Sequence, residues 1–88
     1  MPVRAVHVLE KKLQQLWASV LSIDKTHISA DDNFFEAGGD SINAMRLVAK
    51  AREKGLGIRL NDILKAPRLW EQAKFLRVKN GTHHDSHV

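Results

Sequence analysis

Leu9, Leu13, Leu16, Trp17, Val20 and Leu21 fall at i, i+4, i+7, i+8, i+11 and i+12. That spacing lines one face of a helix and suits no strand. Glu10, Lys11, Lys12, Gln14 and Gln15 fill the opposite face. A chain of 88 residues with no cysteine has no disulfide or thiolate-held metal to staple it. The stripe must therefore be covered by other apolar segments of the same chain, and packing alone has to hold the fold.

Those segments are short. From Ser22 to Asp40 the periodicity vanishes: Asp24, Asp31, Asp32, Asn33, Gly38 and Gly39 supply turn chemistry, while Ile23, Ile28, Phe34 and Phe35 stay apolar. A connection this long needs anchors or a function. Phe34 and Phe35 are the expected anchors, one in the core and the other over its edge. A second helix is predicted over Ser41 to Lys54, capped by Asp40 or Ser41 and stopped by a left-handed Gly55. Ile58 and Leu60 then cross an extended link, and Asn61 caps a short helix over Asp62 to Ala66. The last helix is predicted to open at Pro67 or Arg68, with Leu69, Ala73 and Leu76 as its stripe and Trp70 beside it. The expectation is an all-α fold, a small four-helix bundle of three longer helices and one short one. It spans residues 8–77, between polar linkers at 1–7 and 78–88.

Composition narrows the function classes. At 43% hydrophobic and 27% charged the chain is of ordinary globular type. It has neither the roughly 20 consecutive apolar residues of a membrane span nor a signal-peptide pattern; a cytoplasmic protein is expected. A domain this small buries only about 60% of its unfolded surface, which favours a binding or carrier module over a deep catalytic cleft. The net charge of +4 is uneven. Asp24 to Asp40 holds one base against five acids, and Arg46 to Lys79 holds ten bases against three acids. Such a basic half admits nucleic acid as a partner. Its cations are spread over several faces, however, and no aromatic residues alternate with them as a stacking surface would require.

Gly38-Gly39-Asp40-Ser41-Ile42 sets a serine hydroxyl at the first turn of a helix, after two glycines that permit a tight turn. Helix N-termini expose unpaired N–H groups and the positive end of the macrodipole, so a phosphate on this hydroxyl would be stabilised. The alternative is a plain glycine turn with a capping serine. Self-contained serine catalysis fits poorly, because four of the five histidines lie in or near the termini, leaving His27 on the loop. The small residue that a nucleophile elbow places two positions after its serine is also missing. His83, His84 and His87 form no built metal site, and no metal is expected.

The second helix is apolar on two sides. At roughly 100° per residue, Ala44, Leu47, Val48 and Ala51 share one side, and Ile42, Met45 and Ala49 another. The first group keeps the core spacing. The second, edged by Arg46, is either covered by the loop or left as a docking face beside Ser41, where methionine suits a surface that adapts to several partners.

Taken as one unit, Asp32-Asn33-Phe34-Phe35-Glu36-Ala37-Gly38-Gly39-Asp40-Ser41-Ile42 resembles the thiolation motif of peptidyl carrier domains from nonribosomal peptide synthetases, D-x-F-F-x-x-G-G-[H/D]-S-[L/I], at every specified position. The resemblance runs from about Leu9 to Leu76. It implies that Ser41 receives 4′-phosphopantetheine from coenzyme A, with a separate phosphopantetheinyl transferase supplying Mg²⁺ and the base. Aminoacyl or peptidyl groups would then travel as thioesters between adenylation, condensation and tailoring domains. Asp32, Phe34, Phe35, Gly38, Gly39 and Asp40 would support that serine. Ile42, Met45, Arg46 and Ala49 would form the main docking face, and Ile63 and Leu64 a secondary one. Asp40, in place of the histidine of many carriers, is the form that often precedes an epimerisation domain. Arg46 and Lys50 stand where the acidic carriers of fatty-acid synthesis show negative residues, which favours synthetase partners. The excised domain is expected to be a monomer. A basic nucleic-acid-binding helical module is the alternative.

Overall fold

The computed structural model describes residues 2–86, leaving Met1, His87 and Val88 outside. Four helices form the all-α bundle expected: α1 (Pro2–Leu21), α2 (Ser41–Glu53), α3 (Leu60–Lys65) and α4 (Leu69–Ser86), with a 3₁₀ turn at Lys25–His27 in the long loop. Among the described residues there is no strand, only an isolated antiparallel bridge between Asn33 and Arg68. Helix α1 packs against α4 and α2, and α2 touches α3.

The core follows the stripes. Leu9, Leu13, Leu16, Trp17 and Val20 of α1 meet Ala44, Leu47 and Ala51 of α2 and Leu69, Ala73 and Leu76 of α4; Ile28, Phe34, Leu56, Ile58 and Ile63 close the ends. The adjacent phenylalanines divide as expected: Phe34 is wholly buried, and Phe35 packs half-buried against the core.

Two helix ends show why the chain turns where it does. After α2, Gly55 adopts φ +78°, its N–H donates to Arg52 O at 3.0 Å, and Leu56 N–H reaches Ala51 O at 2.8 Å. This is a Schellman closure. After α1 the left-handed position falls on Ser22, φ +57°, and Ile23 N–H donates to Ala18 O at 3.2 Å. A residue with a Cβ bears strain there that a glycine escapes.

The long loop is tied down at both ends. Gln14 Nε2 donates from α1 to the carbonyls of Lys25 (2.7 Å) and Ile28 (2.9 Å). Asp24 accepts from the N–H and hydroxyl of Thr26, both at 2.9 Å, and these bonds hold its carboxyl below the ordinary value. At the far end, Phe34 N–H donates to Pro67 O at 2.8 Å, Leu69 N–H to Asp32 O at 3.1 Å and Trp70 N–H to Ala30 O at 2.9 Å. The Arg68 guanidinium donates to Asp31 O at 2.6 Å. The loop is thereby fastened to the opening of α4.

Several boundaries differ from the sequence reading. Helix α1 begins at Pro2 and α4 continues to Ser86, so the segments expected as aperiodic linkers are helical as far as they are described. Proline fits a first helical turn without losing a hydrogen bond, and the tail has no apolar stripe for periodicity to detect. Helix α3 starts at Leu60 rather than Asp62. Its start is satisfied by the Asp62 carboxylate accepting from Arg59 N–H at 2.9 Å, not by Asn61. Helix α4 starts at Leu69; Arg68 is its cap residue, with its carbonyl accepting from Gln72 N–H at 3.0 Å and its N–H donating to Glu71 Oε1 at 3.1 Å. Pro67 therefore stands two positions before the first helical residue, just ahead of the cap.

Leu13→Ala and Leu47→Ala each remove a wholly buried side chain and are expected to cost about 2–5 kcal/mol in urea denaturation. Ser22→Gly should instead raise stability by about 0.5–1 kcal/mol, because it relieves the left-handed strain.

Candidate functional site

Ser41 is the first residue of α2 and is exposed. Asp40 caps the helix from an extended backbone, φ −136° and ψ −173°. Its carboxylate accepts from Asn43 N–H at 2.8 Å, and its carbonyl accepts from Ala44 N–H at 2.8 Å. Of the two residues offered as caps, Asp40 takes the role and Ser41 keeps its hydroxyl clear. The Ser41 and Ile42 N–H groups, ahead of the first intrahelical bond, lie at the positive end of the helix dipole. Among the described residues no side chain hydrogen-bonds the Ser41 hydroxyl.

Each preceding motif residue has a mechanical role. Asp32 closes a tight turn, its carboxylate accepting from Ser29 N–H at 2.8 Å and its own N–H donating to Ser29 O at 3.0 Å. Asn33 Oδ1 accepts from the N–H of Phe35 (2.9 Å) and Glu36 (3.3 Å), an Asx turn that swings the chain towards the glycines. Gly38 has φ +113°, a conformation essentially reserved for glycine, with nothing within 4 Å of where a Cβ would stand. Gly39 is required for a different reason. A Cβ there would meet Phe34 Cδ2 at 2.5 Å and the Phe34 carbonyl oxygen at 2.7 Å, with Cε2 closer still. The backbone just before the serine therefore lies directly on the Phe34 ring, and Gly39 N–H donates to Phe34 O at 2.9 Å.

The ring beneath is itself held. Phe34 stands edge-on to Trp17 at 5.1 Å and to Phe35 at 5.5 Å, arrangements that aromatic quadrupoles favour. Trp17 Nε1–H donates to Gln72 Oε1 at 3.1 Å. Gln72, wholly buried on α4, was missed from sequence although it completes an i, i+3, i+4, i+7 set with Leu69, Ala73 and Leu76.

The residues expected at a docking face divide. Ile42 is 66% exposed and Met45 61%; Arg46 and Ala49 are also exposed, so the loop leaves this stripe of α2 open. Leu64 is 55% exposed, whereas Ile63 is wholly buried in the core. The expectation for Ile63 is corrected: in a helix of six residues only one of two adjacent apolar side chains can face outward, and that one is Leu64. A groove between α1 and the C-terminal half of α2, lined by Lys12, Gln15, Leu16, Ser19, Lys50, Glu53 and Lys54, does not include Ser41.

Ser41 thus stands exposed at a helix start, directly after a glycine turn. Comparison with known proteins shows the family to which this chain belongs. The chain matches the family described as "Phosphopantetheine attachment site" over residues 11–76. It is 44% identical over 77 residues, 88% of its length, to the nonribosomal peptide synthetase easA of Emericella nidulans. The crystal structure of holo T3CT superposes with a TM-score of 0.73 at 45% identity, covering 74% of this chain and 93% of that one. A chain from the complex of the phosphopantetheine transferase Sfp with coenzyme A and a peptidyl carrier protein gives 0.71 at 30% identity, covering 80% and 90%. The chain thus belongs to the phosphopantetheine-attachment family, as a carrier domain of the kind found in nonribosomal peptide synthetases. It spans about 1% of the length of the curated relatives it matches. Nothing in the fold or in these likenesses supports a nucleic-acid-binding module. The residues present fit 4′-phosphopantetheine: the hydroxyl is exposed, the space over Gly38 is open, and the helix start offers N–H groups to an anionic ester.

Gly39→Ala forces a methyl into the Phe34 ring and carbonyl and is expected to cost about 1–3 kcal/mol by overpacking, read from chemical denaturation.

Proposed function

We propose that Ser41 is the attachment residue and that this domain carries aminoacyl or peptidyl groups within a nonribosomal peptide synthetase, without chemistry of its own. The observation that carries the proposal is the exposed Ser41 hydroxyl at the start of α2, on a turn whose every motif residue serves its presentation. A separate transferase supplies Mg²⁺ and the base: the Ser41 oxygen attacks the phosphate of coenzyme A that bears pantetheine, the pyrophosphate bond breaks and 3′,5′-ADP leaves, and the serine proton passes to the base. When bound, 4′-phosphopantetheine supplies a terminal thiol that holds the cargo as a thioester. The chain's own part is to hold the serine outward, to place Asp40 on the Asn43 N–H so that the helix start is rigid, and to offer the ester the N–H groups of Ser41 and Ile42.

The partners that fit are the transferase and then the adenylation, condensation and epimerisation or other tailoring domains of the synthetase. Ile42, Met45 and Ala49, with Arg46 at the edge, are the docking face in this reading: they follow Ser41 along α2 over little more than two turns, and both Ile42 and Met45 are more than half exposed. Leu64 on α3 extends it. Segments 1–7 and 78–88 connect the domain to its neighbours, and the whole operates in the cytoplasm.

Intact-mass analysis after incubation with coenzyme A, Mg²⁺ and a broad-specificity phosphopantetheinyl transferase tests the assignment. One phosphopantetheine is expected on the parent, none on Ser41→Ala, and slower uptake on Met45→Glu, which places a charge in the apolar face. Uptake by a folded Ser41→Ala, or none by the folded parent, would overturn it.

A further inference from the structure

Gln72 faces the core as one of the residues buried without remainder. Its carbonyl oxygen accepts from Trp17 Nε1–H at 3.1 Å, and its amide Nε2 has no hydrogen-bond partner among the described residues. Turning the amide over does not cure this, because the indole can only donate and would then face a second donor. The α4 stripe thus holds an orphaned amide donor, where an aliphatic residue would leave the Trp17 indole N–H unpaired instead, and a group of this kind calls for an explanation. What lies beyond the bond is the serine turn: Trp17 stands edge-on to Phe34 at 5.1 Å, and Phe34 carries the Gly39 backbone so closely that no Cβ fits between them. Asp40 and Ser41 follow directly.

We infer that Gln72 is a positioning residue for phosphopantetheine attachment, acting through Trp17 and Phe34 to hold the seat on which Ser41 is presented. This inference rests on the carrier reading. Indole packing alone leaves the ring free to slide or tilt in its plane; a hydrogen bond to a residue locked in α4 fixes both. With Trp17 fixed, the Phe34 ring has a rigid wall behind it, and the Gly39 backbone in front has one resting place. The transferase then meets a hydroxyl already where it must react, and misplacement of a reacting group by about 1 Å can cost on the order of 100-fold.

Gln72→Met removes the acceptor, fills nearly the same shape and exchanges the orphaned amide for an orphaned indole N–H. Its urea midpoint is therefore expected close to the parent's. The kcat/KM for phosphopantetheine transfer from coenzyme A, measured where both proteins are folded, is expected to fall about 10-fold. Amide exchange at Gly39, whose N–H is bonded to Phe34 O, should quicken while Ala44 and Leu47 keep the parent's rates, a pattern that general destabilisation does not produce. Loading at the parent's rate, or a loss no larger than the unfolded fraction explains, would overturn the inference. Should the variant not fold, hydrogen exchange on the parent decides. The Trp17 indole N–H and the Gly39 N–H are expected to open together, and a Gly39 that opens while the indole stays protected overturns the proposal. A parent that takes up no phosphopantetheine would sink the carrier reading instead, and the exchange result would still decide whether Gln72 holds the seat.

Discussion

Phe34 has no exposed surface, and three separate parts of the chain depend on where its ring lies. Trp17 of α1 backs it, Phe35 stands edge-on beside it, and Gly39 rests its main chain on it. Its own N–H is tied to Pro67 at the mouth of α4. One side chain thus converts the packing of a helical core into the position of a loop that has almost no regular structure. A connection from Ser22 to Asp40 would otherwise have to spend backbone entropy on order with little burial in return. Here the burial is concentrated in Ile28 and Phe34, and the remaining order comes from short side-chain-to-backbone bonds at Asp24, Asp32 and Asn33.

This arrangement explains why the motif reads as it does. None of Asp32, Phe34, Phe35, Gly38, Gly39 or Asp40 needs to touch a substrate. Asp32 closes a turn, the phenylalanines anchor it, Gly38 takes a conformation that side chains avoid, Gly39 yields space to a ring and Asp40 starts the helix. Together these residues determine where the Ser41 hydroxyl is.

The helical stripes were legible in the sequence because each of α1, α2 and α4 repeats its apolar spacing over two turns or more. Helix α3 is too short to establish a period, which is why its start was misplaced and Ile63 was read as surface. The serine and its glycines were legible as a pattern, and the exposed pair Ile42 and Met45 followed from counting two stripes where one core face was available. What the pattern could not convey was cause. Gly38 and Gly39 look alike on paper, yet one is required by a dihedral angle and the other by the ring beneath it, a contact that only the folded chain creates. Gln72 was passed over because polar residues are assigned to solvent by default, although its spacing already placed it with Leu69, Ala73 and Leu76. Ser22 carries no signal for a left-handed turn, since glycine is the residue that usually marks one.

A carrier must be recognised by several partners while keeping one fold, and the distribution of apolar surface meets both demands. Large apolar side chains left more than half open on α2 and α3 are a liability in an isolated domain and are retained at some risk of association. The core gains no support from them: Ala44, Leu47 and Ala51 on the opposite side of α2 are closed off completely. Because Ile42 and Met45 are more than half exposed and lie outside the buried cluster, substitutions there disturb the core less than changes at Ala44, Leu47 or Ala51. The serine turn lies where the two stripes begin. Its position is set from below by Phe34, so the fold can hold the hydroxyl still while the exposed surface beside it is free to diverge.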